Sequence, residues 1–212
     1  IGRPLRAINV FFHPHTSWMS REAAVAPLLM ASGAASLLWP QVQPLAAVFA
    51  IAFLYCQGRI LKASKGIPSW REPRVVPLII ATGLAEGAGL YWALAPWWGQ
   101  GPAWAWPALG VLLLLRFVAG NAWYGKLAAS LQKRPASLRA VDRTKPGYVA
   151  GSLLPLALVL IVWLAPLPAA VKLPLQVLTG LLSTAAGSFF KFMLITRAAF
   201  NQGFALPHLP VR

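Results

Sequence analysis

Six stretches of this chain are long and apolar enough to cross a bilayer, and they leave little room for anything else. A spanning helix needs about 20 mostly apolar residues. The stretches run over residues 21–39, 44–61, 74–98, 103–124, 148–166 and 172–195. None shows the two-residue alternation of a β-barrel strand. The expected fold is an all-α integral membrane protein of six transmembrane helices. A lead-in segment of residues 1–20 precedes the bundle of 21–196, and a tail of 197–212 follows it. Composition agrees: only 11% of residues are charged and the mean hydropathy is +0.63, against about 25% charged in an average soluble domain. Prolines inside or near the spans (Pro27, Pro77, Pro107, Pro155 and Pro174) are tolerated where neighbouring helices satisfy the freed carbonyls. Trp18, Trp39, Trp70, Trp97, Trp98, Trp104 and Trp123 fall near span ends, as in an aromatic belt. Gly33-Ala34-Ala35-Ser36 and the Gly83/Gly87 pair read as helix-packing patterns.

The charges that remain are lopsided, 19 Lys and Arg against 4 Asp and Glu. Sixteen of the 19 cations lie before the first span, in the connections 58–74 and 125–147, or in the tail. The opposite connections, 40–43, 99–102 and 167–171, carry no charge. Under the positive-inside rule the basic loops and both termini are cytoplasmic, in the inner membrane. Docking of an acidic protein on either side is the competing explanation of the same pattern. Nucleic-acid binding is not expected, because the cations sit between spans and form no separate domain.

Ionisable groups at membrane depth are few, so each asks for a role. Glu22 opens the first span, and residues 23–39 behind it carry no charge. Glu86 lies among Gly83, Gly87 and Gly89, and Arg116 lies on the next span running the other way. Counted at about 1.5 Å per residue, the two reach similar depth and can pair. A structural ion pair, a proton route or quinone contact, and water exposure are all open for them. Lys172 and Lys191 are nearer the ends of the last span and are expected to snorkel. The three histidines are His13, His15 and His208, none inside a span, whereas a membrane b-type haem takes two facing histidines. His13 and His15 are either plain interfacial residues or proton exchangers, since imidazole titrates near neutral pH. Cys56, the single cysteine, reads as a small buried apolar residue. No nucleophile–base set, phosphate loop or metal-ligand spacing emerges, so the chain does not read as a catalyst on its own.

Two strings carry a resemblance. Gly2-Arg3-Pro4-Leu5-Arg6-Ala7-Ile8-Asn9 followed by Ser17-Trp18-Met19-Ser20-Arg21-Glu22, and Arg59-Ile60-Leu61-Lys62-Ala63-Ser64-Lys65-Gly66-Ile67-Pro68-Ser69-Trp70, resemble membrane-anchor subunits of the dimethyl sulfoxide reductase type, within the NrfD-like (polysulfide-reductase-type) anchors. The tail from Thr196 to Pro207 is similar to the anchor of phenylacetyl-CoA:acceptor oxidoreductase. The resemblance implies an eight-helix, haem-free anchor whose first two helices precede Ile1. It implies a menaquinone or ubiquinone site near the face that docks a four-cluster iron–sulfur subunit, which serves a molybdopterin catalytic subunit. Glu22 matches the family acid at that quinone site. Arg6, Arg21 and Arg59 could then steady the carboxylate or an anionic form of the quinone, with Glu22 or a nearby His exchanging protons. Many relatives dock their partners on the periplasmic side, so a cytoplasmic docking face is a departure. A secondary transporter using Glu86 and Arg116, or a passive anchor without a quinone site, are the rival readings; no matched pair of broken helices speaks for the transporter.

Overall fold

The computed structural model describes residues 10–64, 66–98, 101–131 and 136–199, with the backbone alone for 98 and 136. Six long helices carry the chain: α1 (Trp18–Leu38), α2 (Gln43–Ala63), α3 (Val75–Ala93), α4 (Ala105–Ser130), α5 (Ala136–Leu164) and α6 (Ala169–Thr196). No strand occurs among the described residues. Five helices, α2 to α6, are long and apolar enough to cross a membrane. The expected sixth, α1, has the length but is not among them. Arg21, Glu22 and three serines dilute its apolar run.

Each boundary has a local cause. The Ser17 side chain caps α1 by accepting from the Ser20 amide at 3.4 Å, which satisfies one of the free N–H groups of a first turn. Pro40 opens a 3-10 turn, Pro40–Val42, that reverses the chain into α2, and Pro44 sits in the first turn of α2, where its missing N–H costs nothing. The largest departure from expectation is α5. It starts twelve residues before 148 and runs through Arg139, Asp142, Arg143 and Lys145, all assigned above to a loop. A helix continues into water as readily as through lipid, because it satisfies its own backbone; hydropathy marks only the part in hydrocarbon. Pro146 and Pro155 both lie inside α5. α1 likewise begins within the segment set aside as a lead-in, at Trp18. The tail beyond Ala199 lies outside the described residues.

Helices α3 to α6 close into a four-helix bundle, with α3 packed on α4 and α6, and α5 on α4 and α6. The α1–α2 hairpin is appended to it through α2 alone, which lies against α3. Close approach depends on small residues. A Cβ at Gly89 of α3 would lie 2.9 Å from the Gly180 carbonyl of α6, and one at Gly180 would lie 2.5 Å from the Ala93 nitrogen. Gly58 of α2 meets the Val76 backbone of α3 in the same way, 2.9 Å from its Cα. Gly83 receives Leu54 of α2, whereas Gly33 and Gly87 face open space, so only part of the expected glycine packing forms.

The bundle core is split by polarity. One apolar cluster fills the basic half, built on Val75, Leu78, Trp123, Leu138, Tyr148 and Phe190. A second fills the other half, built on Ala85, Trp92, Trp106, Leu113, Val159 and Val162. Between them every helix contributes polar groups: Thr82 and Glu86 from α3, Arg116 from α4, Ser152 from α5, Ser183 and Thr184 from α6. At the basic end a helical turn, Pro68–Arg71, staples the bundle shut. Ser69 Oγ donates to the Ala198 carbonyl and Trp70 Nε1 to the Leu194 carbonyl, both at 2.9 Å, satisfying groups that the end of α6 would leave free. Trp123, expected in the interfacial belt, is instead 2% exposed and donates to the Ser69 carbonyl. Trp39, Trp97 and Trp104 are well exposed, as a belt requires.

Candidate functional site

The residues singled out at the start of the first span converge on one indole. Residues 13–17 form a turn in which the His13 carbonyl accepts from the Thr16 and Ser17 amides. Arg21, one turn into α1, folds back over this turn. Its Nε donates to the Pro14 carbonyl at 2.7 Å and its Nη2 to the His15 carbonyl at 3.0 Å. Its guanidinium also lies 4.1 Å from the centroid of Trp18. Arg59, near the end of α2, reaches the same ring at the same distance and donates to Tyr55 Oη at 2.7 Å. Tyr55 meets Trp18 edge-on, with centroids 5.7 Å apart. Two cations on one electron-rich face-bearing ring, plus an aromatic edge, lock the mouth of the hairpin.

Glu22 is half-buried, and Trp18 precedes it by four residues, so both lie on one face of α1. It is within Coulombic reach of Cys56 on α2, which puts it on the side of α1 that meets α2. Among the described residues no hydrogen bond or ion pair engages its carboxylate. Cys56 is buried, 5% exposed, as expected of a small apolar residue. His13 and His15 are exposed, and it is their backbone carbonyls that organise the turn. Arg6 lies outside the described residues. The structure thus brings Arg21 and Arg59 together on Trp18, with Glu22 one turn on along the same face of α1 and His13 and His15 exposed in the preceding turn. A cavity of about 520 Å³ lies at the far, acid-free end of the bundle and does not touch this cluster.

The Glu86–Arg116 pair expected from depth is not the pair that forms. Glu86 is ion-paired with Lys191 of α6, the residue expected to snorkel. Thr184 Oγ1 lies 2.9 Å from the Gly180 carbonyl and 3.3 Å from the Glu86 carbonyl, and Ser183 Oγ donates to the Ala85 carbonyl at 3.0 Å. A Cβ on Gly187 would collide with the Glu86 side chain, so this glycine makes the room that Glu86 occupies. Arg116 is fully buried. It donates through Nη1 to the Ser183 carbonyl at 3.3 Å and packs over the Tyr148 ring at 5.4 Å. Tyr148 Oη donates in turn to the Arg116 carbonyl. The Nε and Nη2 of Arg116 have no hydrogen-bond partner among the described residues, although Glu86 is within Coulombic reach. Depth counting therefore put both groups in the right layer and assigned the wrong partner, because rotation about the helix axis decides which residues meet.

Two roles escaped the sequence. Trp18 read as a belt residue, and nothing local signals that Arg59, 41 residues on, stacks on it. Lys191 read as an interfacial cation; its five-residue distance from the end of α6 hid its pairing with an acid 105 residues earlier.

Compared with known protein families, curated proteins and solved structures, the chain matches none.

Proposed function

We propose that this chain is the haem-free membrane anchor of a quinone-linked molybdopterin oxidoreductase, exchanging electrons between the menaquinone or ubiquinone pool and a four-cluster iron–sulfur subunit. On this reading all six long helices cross the inner membrane, α1 included, within an eight-helix anchor. The basic end is cytoplasmic and docks the iron–sulfur subunit, with the molybdopterin subunit beyond it. The observation that supports the reading is the grouping of a half-buried carboxylate, Glu22, with no partner among the described residues, with the doubly stacked indole of Trp18 at that basic end.

The residues present fit a quinone head. A quinone supplies two-electron, two-proton chemistry when bound, and its ring is flat with oxygens that accept hydrogen bonds. Trp18, covered by the guanidiniums of Arg21 and Arg59, holds Arg59 in place as a cation for the quinone oxygens. Glu22 holds and releases a proton at its carboxylate, close to water at the helix mouth. Arg21 acts as a positioning residue, because its donors are already given to the Pro14 and His15 carbonyls. His13 and His15, exposed in the turn before α1, are the proton relays on this reading.

Purification of the complex from native membranes tests this reading. Co-purifying subunits that contain molybdenum and iron in non-haem clusters support it. A chain that purifies without partners and carries ions across vesicle membranes supports secondary transport instead. The observation that favours this second reading is the layer at membrane depth of the buried Arg116 and the partly buried Glu86–Lys191 pair, since ionisable groups inside a bundle often mark an ion path.

A further inference from the structure

The acid-free end of the bundle holds a cavity of about 520 Å³ between the last turns of α3 and α5 and the first turns of α4 and α6. This falls within the roughly 300–1,000 Å³ range of small-molecule sites. Its walls are aromatic and apolar, with Trp92, Trp106, Trp163, Val162 and Leu173. Two polar side chains also line it, Lys172 and Gln176. They are four residues apart on α6, so they stand one above the other on one face.

Gln176 is 9% exposed, and its amide makes no hydrogen bond to any described residue. The amide is not sealed off from the cavity, so its N–H groups and oxygen are free to bond a molecule that enters. Lys172 is the only charged residue in sequence at this end: residues 40–43, 94–107 and 163–173 contain no acid and no other cation. The chain's four acids, Glu22, Glu72, Glu86 and Asp142, lie in the basic half or the polar layer. The ammonium of Lys172 therefore has no counter-charge from its own end of the protein. A site with tryptophan walls, one exposed and unopposed cation at its mouth and one amide open to the cavity fits an apolar body carrying an anionic oxygen head.

We propose that this cavity binds an anionic amphiphile, with its charged oxygens held by Lys172 Nζ and Gln176 Nε2 and its apolar body lying among Trp92, Trp106 and Trp163. The shared chemistry is a carboxylate or phosphate on an acyl chain, and it can come from a free long-chain acid or from a phospholipid. The exposed Trp97 and Trp104 nearby put the site at interfacial height, where such molecules keep their heads. This site is independent of the quinone reading, since none of its residues belongs to the Trp18 cluster.

The test is quenching of tryptophan fluorescence in the purified full chain, in a neutral detergent. The probes are a dibrominated long-chain carboxylate, its neutral methyl ester, and a brominated phosphatidylglycerol. Saturable quenching by the carboxylate, by the phosphatidylglycerol or by both supports the site, and which probe saturates identifies the source. The anionic probe that binds is expected to lose at least tenfold in affinity in Lys172→Gln and in Gln176→Leu, and to be unchanged in Lys126→Gln at the basic end. Ala169→Trp, on the exposed rim, fills the cavity without touching the core and is expected to abolish saturable binding in a chain that still elutes as a folded species. Quenching equal for acid and ester, or affinity unchanged in both Lys172→Gln and Gln176→Leu, would overturn the proposal.

Discussion

The α1–α2 hairpin and the α3–α6 bundle are built from the same kind of sequence and handle their polar groups in opposite ways. In the most apolar stretch of α3 half the residues are buried inside the protein, against 11% in that of the second helix with its leading turn. α1 buries only Ser20 and Ser32. The bundle pairs or buries the charges of its polar layer, where the partly buried Lys191 meets Glu86, Gly187 makes room for the acid, and Arg116 is enclosed. The hairpin keeps its charges at its mouth, on an aromatic platform within reach of water. A polar group inside a packed bundle is fixed by its surroundings and serves cohesion. A carboxylate left unpaired at a membrane surface keeps the freedom to exchange protons. On the proposed function, the contrast makes one region the scaffold and the other the place for chemistry.

The sharpest way to break this contrast is to overfill each region at a glycine. Gly180→Leu forces a side chain into the Ala93 and Trp92 backbone of α3. It should cost more than the about 1–3 kcal/mol of ordinary overpacking and leave little folded protein on size-exclusion chromatography. Gly33→Leu in α1 meets open space and should leave both the elution profile and the melting temperature in detergent unchanged. Equal damage from the two would remove the distinction.

The polar layer comes next. Glu86→Gln leaves the Lys191 ammonium without its counter-charge, and should destabilise the bundle by about 1–3 kcal/mol, the usual cost of stranding a partly buried polar partner. Lys191→Met combined with Glu86→Gln should recover most of that loss, because the double change removes both charges together. A double-mutant cycle on thermal stability measures the interaction directly. Additive losses would mean that the pair contributes nothing to the bundle.

How much of this was legible beforehand follows from what a sequence encodes. Spans show because hydrocarbon demands long apolar runs, and five of the six expected runs meet that demand. The start of α5 did not show, because residues 136–147 are charged and helical at once, and hydropathy cannot distinguish a helix in water from a loop. Glu22 stood out as an acid before a chargeless stretch. Trp18 did not stand out, because stacking on Arg59 depends on how α1 and α2 are rotated against each other. Glu86 and Arg116 were both legible as buried ionisable groups. Their partners were not, since Lys191 and Ser183 reach them only through the packing of α6.

Smaller effects sharpen the hairpin side of the comparison. Trp18→Ala removes the surface that both guanidiniums share. It should cost about 1–2 kcal/mol of stability, at about 0.5–1 kcal/mol for each cation–π contact, and lower quinone-linked turnover of the complex severalfold. Ser17→Ala removes only the cap of α1, with an expected loss of about 0.5–1 kcal/mol in thermal unfolding and no change in turnover. A cap variant that damaged turnover as much as Trp18→Ala would mean that order at the helix start, and not the aromatic platform, is what matters.

The central claim is that Glu22 exchanges protons at the mouth of the hairpin while the bundle serves as its support. Glu22→Gln keeps the size and hydrogen-bonding shape of the side chain and removes its titration. The deciding measurement is quinone-linked turnover of the purified complex carrying this change, at matched subunit assembly. The account predicts a loss of at least tenfold, or about 1.4 kcal/mol in the barrier, with assembly intact. Turnover equal to that of the unaltered complex would contradict it.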